Sequence, residues 1–596
     1  MSSVCRLMVP VLCVAFSMCR LASATATTDN PVNDELVNLA ASHFHPQSFA
    51  TDEERQAFTE FFLAVHQGRQ TRFQRLASED NDISKGDSWG WQRSVRAEWL
   101  SWVCVDQAAV KLVQTRGIRI TDARIIGNVD LAKHSIAFEL SILYSYFDSS
   151  IWLNGCTINA LTIDDCFVNG SLSAAGSVGS DSPTLKVLGN LYLDRTVVRQ
   201  AIQLSHSEIA GSFSAYLENA RNFSGEDMEI GKDASFDIKY EGEASLFPNT
   251  NLEKTRISED LQIIVEPPKN QLISSNLEID ARRLNVGENV SVYGNLGKVD
   301  LNFGNAHLGG QFRVEGDVHC AFLRLGDAYT DTLFIPGNSW PTKANLVLQG
   351  FKFEQLAGTT DVDAQIQWLR LQATYSPQPY EAMVTVLKNM GYSEAATKVG
   401  IAEKWDEGVQ GLQDRLKTMD RLKSSILDDV RAFRIDKVFY QTLGLLEILV
   451  QFLLYDILWI YGFGLLIQYG YRPWNALFLG GLFVLVGWAI SSFAEKHGFL
   501  IKKDAKSEKP EVNREPRKDR NFSALMYSVE TFVPLMKLGV AERWKLDGNV
   551  LKSVYIGPFS IRQSGVLFLR WYWIHRMAGW ILTGLWVVGF TGIIKH

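Results

Sequence analysis

From Gly117 to about Gly350 short apolar pairs alternate with polar residues and recur at near-constant spacing. The residue that opens each strand is usually small. Ala123-Arg-Ile, Ser135-Ile, Cys156-Thr-Ile and Cys166-Phe-Val, with Tyr146-Phe as the bulky exception, follow one another at roughly 10 to 12 residues. Between them lie Val129/Leu131, Phe138/Leu140, Ile151/Leu153 and Leu161/Ile163, and the pattern continues through Leu191/Leu193, Val290/Val292 and Phe312/Val314. Period-2 alternation argues for strands, and fixed spacing argues for a solenoid. Two half-turns make a coil of about 20 to 22 residues, turning at Gly or Asn, where positive φ is cheap. Cys156 and Cys166 fall at equivalent repeat positions, which favours core filling. The competing architecture is an antiparallel β-sandwich, which shares the alternation but not the small strand-opening residue.

The segments ITDARIIGNVDL, INALTIDDCFV and FGNAHLGGQFRVEG resemble bacterial pentapeptide-repeat-like proteins. The resemblance implies a mainly β solenoid, a right-handed β-helix, over residues 116–355; the strict five-residue register of that family is absent. Residues 27–115 are expected to form a helical N-terminal cap. Asp52-Glu-Glu-Arg opens an apolar-periodic run through Phe61, Phe62 and Val65, and a second helix is expected from Gln92 to Val103. Trp89, Trp91, Trp99 and Trp102 fit a cap over the first coil, since solenoid ends need shielding; the alternative is a sugar-stacking cluster. His43 and His45 have no third ligand at metal spacing.

Residues 356–437 read as a helical linker with a hairpin over 380–391 and 393–406, broken at Gly391. TYSPQPYEAMVTVLKNMGYSEAATKVGIAEK resembles a tetratricopeptide-like helix pair. It is also similar to a segment that follows the repeat in a family of multipass bacterial membrane proteins, often labelled membrane-associated oxidoreductases. Nothing in this sequence supplies redox chemistry to match that label.

Residues 438–596 carry the membrane signal. An apolar helix is expected over 443–467, with Glu447, Gln451 and Asp456 as embedded polar residues, either spanning or lying in the interface. Spans are expected at 474–493 and 577–594, each about long enough to cross. The loop 496–520 holds nine Lys or Arg against five Asp or Glu, which places it in the cytoplasm. Residues 1–26 have the layout of a secretory signal peptide: Arg6, then apolar Leu7–Met18, then Ala22, Ala24 and Ala26 for cleavage. With two spans the β-region is exported at a bacterial inner membrane. With three it is cytoplasmic, and the seven basic residues from Arg415 to Lys437 pull that way.

Between the spans, NFSALMYSVETFVPLMKLGVAERW, a helix over 521–540, is similar to the pore helix and filter entry of two-helix pore-loop channels. The resemblance makes Ser528, Thr531, Lys537 and Gly539 candidate pore-loop residues. A potassium filter needs successive carbonyls at Gly-permitted dihedrals. Leu535, Met536, Lys537 and Leu538 stand there instead, so a re-entrant structural helix or an amphipathic surface helix is the alternative.

No dinucleotide, P-loop, zinc-protease or nucleophile-elbow motif occurs, and no catalytic, cofactor-binding or metal residue is assigned. The composition, 46% apolar and 21% charged, excludes wholesale disorder. The net charge of -7 gives no pull toward nucleic acid. The leading expectation is a non-enzymatic, membrane-anchored β-solenoid scaffold whose partners are the lipid bilayer and a protein or envelope glycan on the solenoid face. The membrane helices also offer a route to a homo-oligomer. The alternatives are a channel-like protein with a sensory solenoid and a carbohydrate-active β-helix enzyme using acids such as Asp164 and Asp165.

Overall fold

The computed structural model describes residues 34–73, 81–174, 185–218, 222–239, 249–266, 277–297, 299–335, 341, 344–431, 434–451, 464, 466–502, 522–546, 551–556 and 559–591. The signal peptide expected at 1–26, Asp456 and most of the basic loop 496–520 lie outside these residues. The chain divides into two compact units, Met1–Gly231 and Lys232–His596.

In the first unit, α1 (Glu35–Phe44) begins at Asp34, whose carboxylate accepts from the Leu36 and Val37 N–H groups at 3.1 Å. Thr51 caps α2 (Asp52–His66) in the same way, meeting orphan donors of the first turn. Phe58 and Phe62 of α2 pack edge-on against Trp99 and Trp102, at 5.2 and 5.8 Å, from α3 (Ala97–Val105) and its surroundings. Trp89 and Trp99 are fully buried, so they fill the cap rather than stack on a ligand. His43 lies flat on Trp102 at 5.3 Å. α4 (Gln107–Val110) is the last helix of this unit among the described residues.

The helix expected from Gln92 starts only at Ala97. Ser94–Arg96 is instead a strand paired in parallel with Arg124–Ile126, and Thr71–Arg72 pairs with Ile120 and Thr121. The cap thus supplies the first rungs of two ladders, and the strand edges it covers find backbone partners.

Beyond the cap the strands pair in parallel across successive coils. Ile118 faces Leu140, Leu140 faces Leu161, Leu161 faces Leu191 and Leu191 faces Phe213, in steps of 22, 21, 30 and 22 residues. In the second unit Ala234, Leu261, Val290, Phe312, Leu333 and Leu356 follow in steps of 27, 29, 22, 21 and 23. All these positions except Leu356 are buried. Parallel pairing at this separation is solenoid-like, and it excludes the antiparallel sandwich, whose neighbours run in opposite directions.

The small strand-opening residues have a job beyond filling. The N–H of Ala123 donates to Ser145 Oγ (3.2 Å), that of Ser145 to Cys166 Sγ (3.4 Å), and that of Cys166 to Thr196 Oγ1 (3.3 Å). Ser145, not Tyr146, holds the small position; Tyr146 pairs with Arg124 and Phe167 and stacks on Phe167 at 5.5 Å. Cys156 is not in that column: it follows Gly155 at a different corner. The two cysteines are therefore not repeat equivalents.

That second corner recurs, and it is not built mainly from Gly and Asn. Left-handed φ falls at Lys133, Gly155, His206 and Asp227 in the first unit, and at Lys254, Arg283, Asn305, Asp327 and Gly350 in the second. Local bonds hold most of these turns, for example Ser207 N–H to Leu204 O (3.2 Å) and Thr255 N–H to Leu252 O (3.1 Å). The left-handed residue also reaches the next coil, as Lys133 N–H does to Asn154 O (2.8 Å) and Arg283 N–H to Gly304 O (2.9 Å). These bonds and the buried neighbours offset a backbone cost of about 1–2 kcal/mol per non-glycine turn.

The last coils of the second unit meet the linker. Gln378 accepts from Gly350 N–H (2.9 Å) and donates to Phe351 O (3.0 Å), at the start of α6 (Gln378–Asn389), which follows α5 (Val362–Leu369). Gly391, at φ 85°, turns the chain into α7 as expected. α7 (Ser393–Arg431) runs well past 406, since no proline interrupts it. Arg370 Nε and Tyr380 Oη both donate to Asp406 Oδ2, at 2.8 and 2.9 Å, tying the three helices together. α8 (Ile435–Gln451) packs along α7, with Gln441 donating to Ser425 Oγ at 2.9 Å. Glu447 and Gln451 are exposed on α8.

Candidate functional site

Two of the polar residues singled out near the C-terminus, Ser528 and Thr531, are buried against a helix pair in the second unit. α9 (Trp474–Lys496) and α10 (Ala524–Phe532) are joined in sequence by α11 (Val540–Arg543) to α12 (Gly565–Phe590). Among the described residues α9 alone is long and apolar enough to cross a membrane, and only 17% of its apolar window is buried. α12 begins before the expected 577–594 span, because the aromatic stretch from Trp571 continues the helix backwards to Gly565.

α9 and α12 run antiparallel. Phe493 stacks on Phe568 at 6.1 Å at one end, and Gly589 packs beside Pro473 at the other. α10 lies against both. Its Tyr527 belongs to a cluster with Ala494, Phe499 and Phe568; its Phe532 belongs to another with Ala476, Leu582 and Leu585. The chain then returns: Val540, Ala541 and Trp544 pack on the first cluster, and Trp544–Leu546 pairs antiparallel with Leu500–Lys502. The segment thus enters and leaves at the same end of the helix pair.

Glycines make this approach feasible. A Cβ on Gly487 would lie 2.4 Å from Ser528 Oγ, and one on Gly579 only 1.8 Å from the Phe532 carbonyl oxygen. Ser528, Thr531 and His575 are buried in the seam so formed. Ser528 Oγ donates to Val484 O (2.8 Å), and Thr531 Oγ1 to Tyr527 O (2.7 Å). His575 Nε2 lies 3.1 Å from Ser528 O and 3.3 Å from Ser528 Oγ. This is not a nucleophile–base pair. The serine proton is given to a backbone carbonyl, the ring nitrogen faces a carbonyl that accepts its proton, and Nδ1 has no carboxylate to orient it.

Lys537 and Gly539 stand apart from that seam. Lys537 is exposed, with Leu535 and Met536 beside it. Gly539, at φ 77°, donates its N–H to Glu530 (3.0 Å), which also accepts from Val540 and Ala541 (2.8 Å each). Glu530 therefore staples the returning strand to α10 and caps α11 with negative charge, which suits a helix N-terminus. Glu530, His575, Gly487 and Gly579 escaped the sequence reading. A lone His in an apolar helix and two deeply apolar glycines were the available signals.

The other candidates are structural. Arg195 binds both Asp164 and Asp165 at 2.8 Å, so the two acids share one structural partner. Burial, with Asp165 and Asp194 near, pushes the Asp164 carboxyl above its usual range. Cys104, Cys156, Cys166 and Cys320 are buried and unpaired. Burial pushes Cys156 up to about 11 and Cys320 to about 12, and raises the other two as well. Among the described residues no three His, Cys, Asp or Glu side chains are grouped to hold a metal. Compared with known proteins, the chain matches no family model, no curated protein and no solved structure.

Proposed function

We propose that the protein is a non-enzymatic, membrane-anchored solenoid of the bacterial envelope. Its right-handed, pentapeptide-repeat-like coils serve as a binding surface for a protein or glycan, on the exported side of the inner membrane. The observation that carries the membrane reading is the exposed apolar belt of α9 and α12. Phe478 is 82% exposed, Met577 60%, Leu482 and Trp580 55% each. Monomeric soluble proteins seldom expose so many large apolar side chains, and such surfaces mark membrane or protein contacts.

The sidedness rests on one contact. A Cβ on Gly400 of α7 would sit 2.2 Å from Tyr471 Oη, so these residues touch just before α9 begins. The chain from Gly400 to Tyr471 therefore leaves and returns to one place. That return supports a reading in which 443–467 does not cross alone. α9 then starts on the side of the linker, and the basic loop after it falls on the opposite side. The positive-inside rule makes that opposite side the cytoplasm. The returning α10 segment acts as a re-entrant plug, since its tip offers Leu535, Met536 and Lys537 rather than a line of carbonyls.

The test uses Ser258→Cys on the solenoid and Glu542→Cys near the basic end, both exposed positions. Intact cells are treated with an impermeant maleimide. Labelling of Ser258→Cys alone, with Glu542→Cys labelled only after lysis, supports the reading. The reverse pattern overturns the sidedness, and release of the protein by alkaline carbonate overturns the anchoring.

A further inference from the structure

At the end of the helix pair where α10 enters, α9 and α12 leave an open groove of about 440 Å³ lined by Ala489, Ile490, Phe493, Leu567, Phe568 and Trp571. The size lies within the range of about 300–1,000 Å³ common for small-molecule sites. The lining is wholly apolar in side-chain character. Its floor is fixed, because Phe568 is buried between Phe493 (6.1 Å) and Phe499 (4.8 Å), and Trp571 stacks on Phe483 (6.3 Å, 7° between planes). The groove is therefore a formed feature of the packing.

Helical spacing puts one cation beside each wall. Lys496 follows Phe493 by three residues and Ala489 by seven, so all three share one face of α9. Arg570 follows Leu567 by three residues and lies on the same face of α12. Both cations are exposed. On α9 Lys496 shares that face with no acid: Glu495 lies one residue off it.

We propose that this groove binds one acyl chain of an anionic glycerophospholipid, with Lys496 and Arg570 pairing with the headgroup phosphate. The inference rests on the membrane anchoring proposed above. The charge of the rim selects the occupant. A neutral lipid would gain the apolar contacts alone, whereas an anionic headgroup adds attraction to each basic residue near the surface. Both long side chains can lay their methylenes along the groove and hold their heads at the phosphate level. The cytoplasmic leaflet, where the topology puts this end, is the anionic one.

The experiment uses the full chain, purified in neutral detergent and placed in nanodiscs of phosphatidylcholine with or without phosphatidylglycerol. Bound lipid is counted by native mass spectrometry after release, and Tm is recorded. The wild type is expected to retain phosphatidylglycerol over phosphatidylcholine by roughly tenfold, with a raised Tm. Lys496→Ser with Arg570→Ser is expected to abolish the preference while the protein still enters nanodiscs. Ala489→Trp, which fills the groove and keeps both charges, is expected to abolish retention of either lipid. Equal retention of both lipids by the wild type overturns the proposal, as does undiminished preference in Ala489→Trp. Failure of the wild type to enter nanodiscs at all would sink the anchoring itself, and is seen separately from lipid preference.

Discussion

The solenoid coils and the α9–α10–α12 helices of the second unit sort their side chains in opposite directions. Along the coils Leu261, Val290, Phe312 and Leu333 are buried, while their neighbours Gln262, Ser291 and Arg313 face outward. Around the helices Phe478, Leu482, Met577 and Trp580 face outward, while Ser528, Thr531 and His575 are buried with glycines between them. One rule explains both. Apolar surface goes where water is absent, and backbone and hydroxyl groups go where they find partners. For the coils the dry side is the interior. On the membrane reading proposed above, the dry side of the helices is the outside, and close approach over glycine replaces hydrophobic drive as the packing force.

The sharpest way to break that contrast is to truncate the same kind of residue in each region. Leu261→Ala removes a buried side chain with partners above and below, and is expected to cost about 2–5 kcal/mol in chemical unfolding. Phe478→Ala, at 82% exposure, is expected to change stability in detergent by less than about 0.5 kcal/mol. Equal losses would mean that α9 is packed against something in the folded protein and that the inversion is false.

A second pair probes the helix seam alone. Gly579→Ala puts a methyl into the Phe532 carbonyl and is expected to lower stability by about 1–3 kcal/mol. Gly584→Ala, on the same helix with nothing within 4 Å, is expected to be neutral or stabilising by about 0.5–1 kcal/mol. A harmless Gly579→Ala would mean that α10 does not lie against α12 as described.

The thiols give a smaller, kinetic effect. With Cys156 pushed up to about 11, only about a thousandth of it is thiolate at pH 8. The expectation is that a disulfide reagent titrates none of Cys104, Cys156, Cys166 and Cys320 in the native protein, and all four in denaturant. Rapid native reaction of one would place that residue outside the core.

How legible this was in the sequence follows from the physics of each region. Alternation exposed the strands, because a coil's inward positions must be apolar whatever their neighbours do. The break at Gly391 and the apolar run from Trp474 were legible for the same reason: each is a local requirement. The pairing of Ser94–Arg96 with Arg124–Ile126 was not, since three residues show no period and their partner lies 30 residues on. The step between Ser145 and Tyr146 was missed because pattern matching weighs hydrophobicity, while the corner selects for a small side chain that accepts an N–H. At the seam, Ser528 and Thr531 were found by resemblance, but His575 and Glu530 act across 47 and about ten residues, and a lone His in an apolar helix does not name its partner.

The smallest effect tests the corner that the sequence reading built from the wrong residues. Lys133 and Gly350 occupy the same left-handed turn in different coils, at φ 61° and 79°. A lysine there bears backbone strain that glycine would not, at about 1–2 kcal/mol, against roughly 0.5–1 kcal/mol of extra chain entropy lost by glycine on folding. Lys133→Gly is therefore expected to raise stability by up to about 1 kcal/mol. Gly350→Ala should lower it, because the strain is added and the new Cβ would lie 2.0 Å from Asp327 Oδ1. Opposite signs in parallel denaturant titrations would show that the turn is set by the coil's own hydrogen bonds and tolerated by its residues. Equal losses would mean that Lys133 makes a contact whose removal outweighs the strain, and the corner would then be specified by side chains after all.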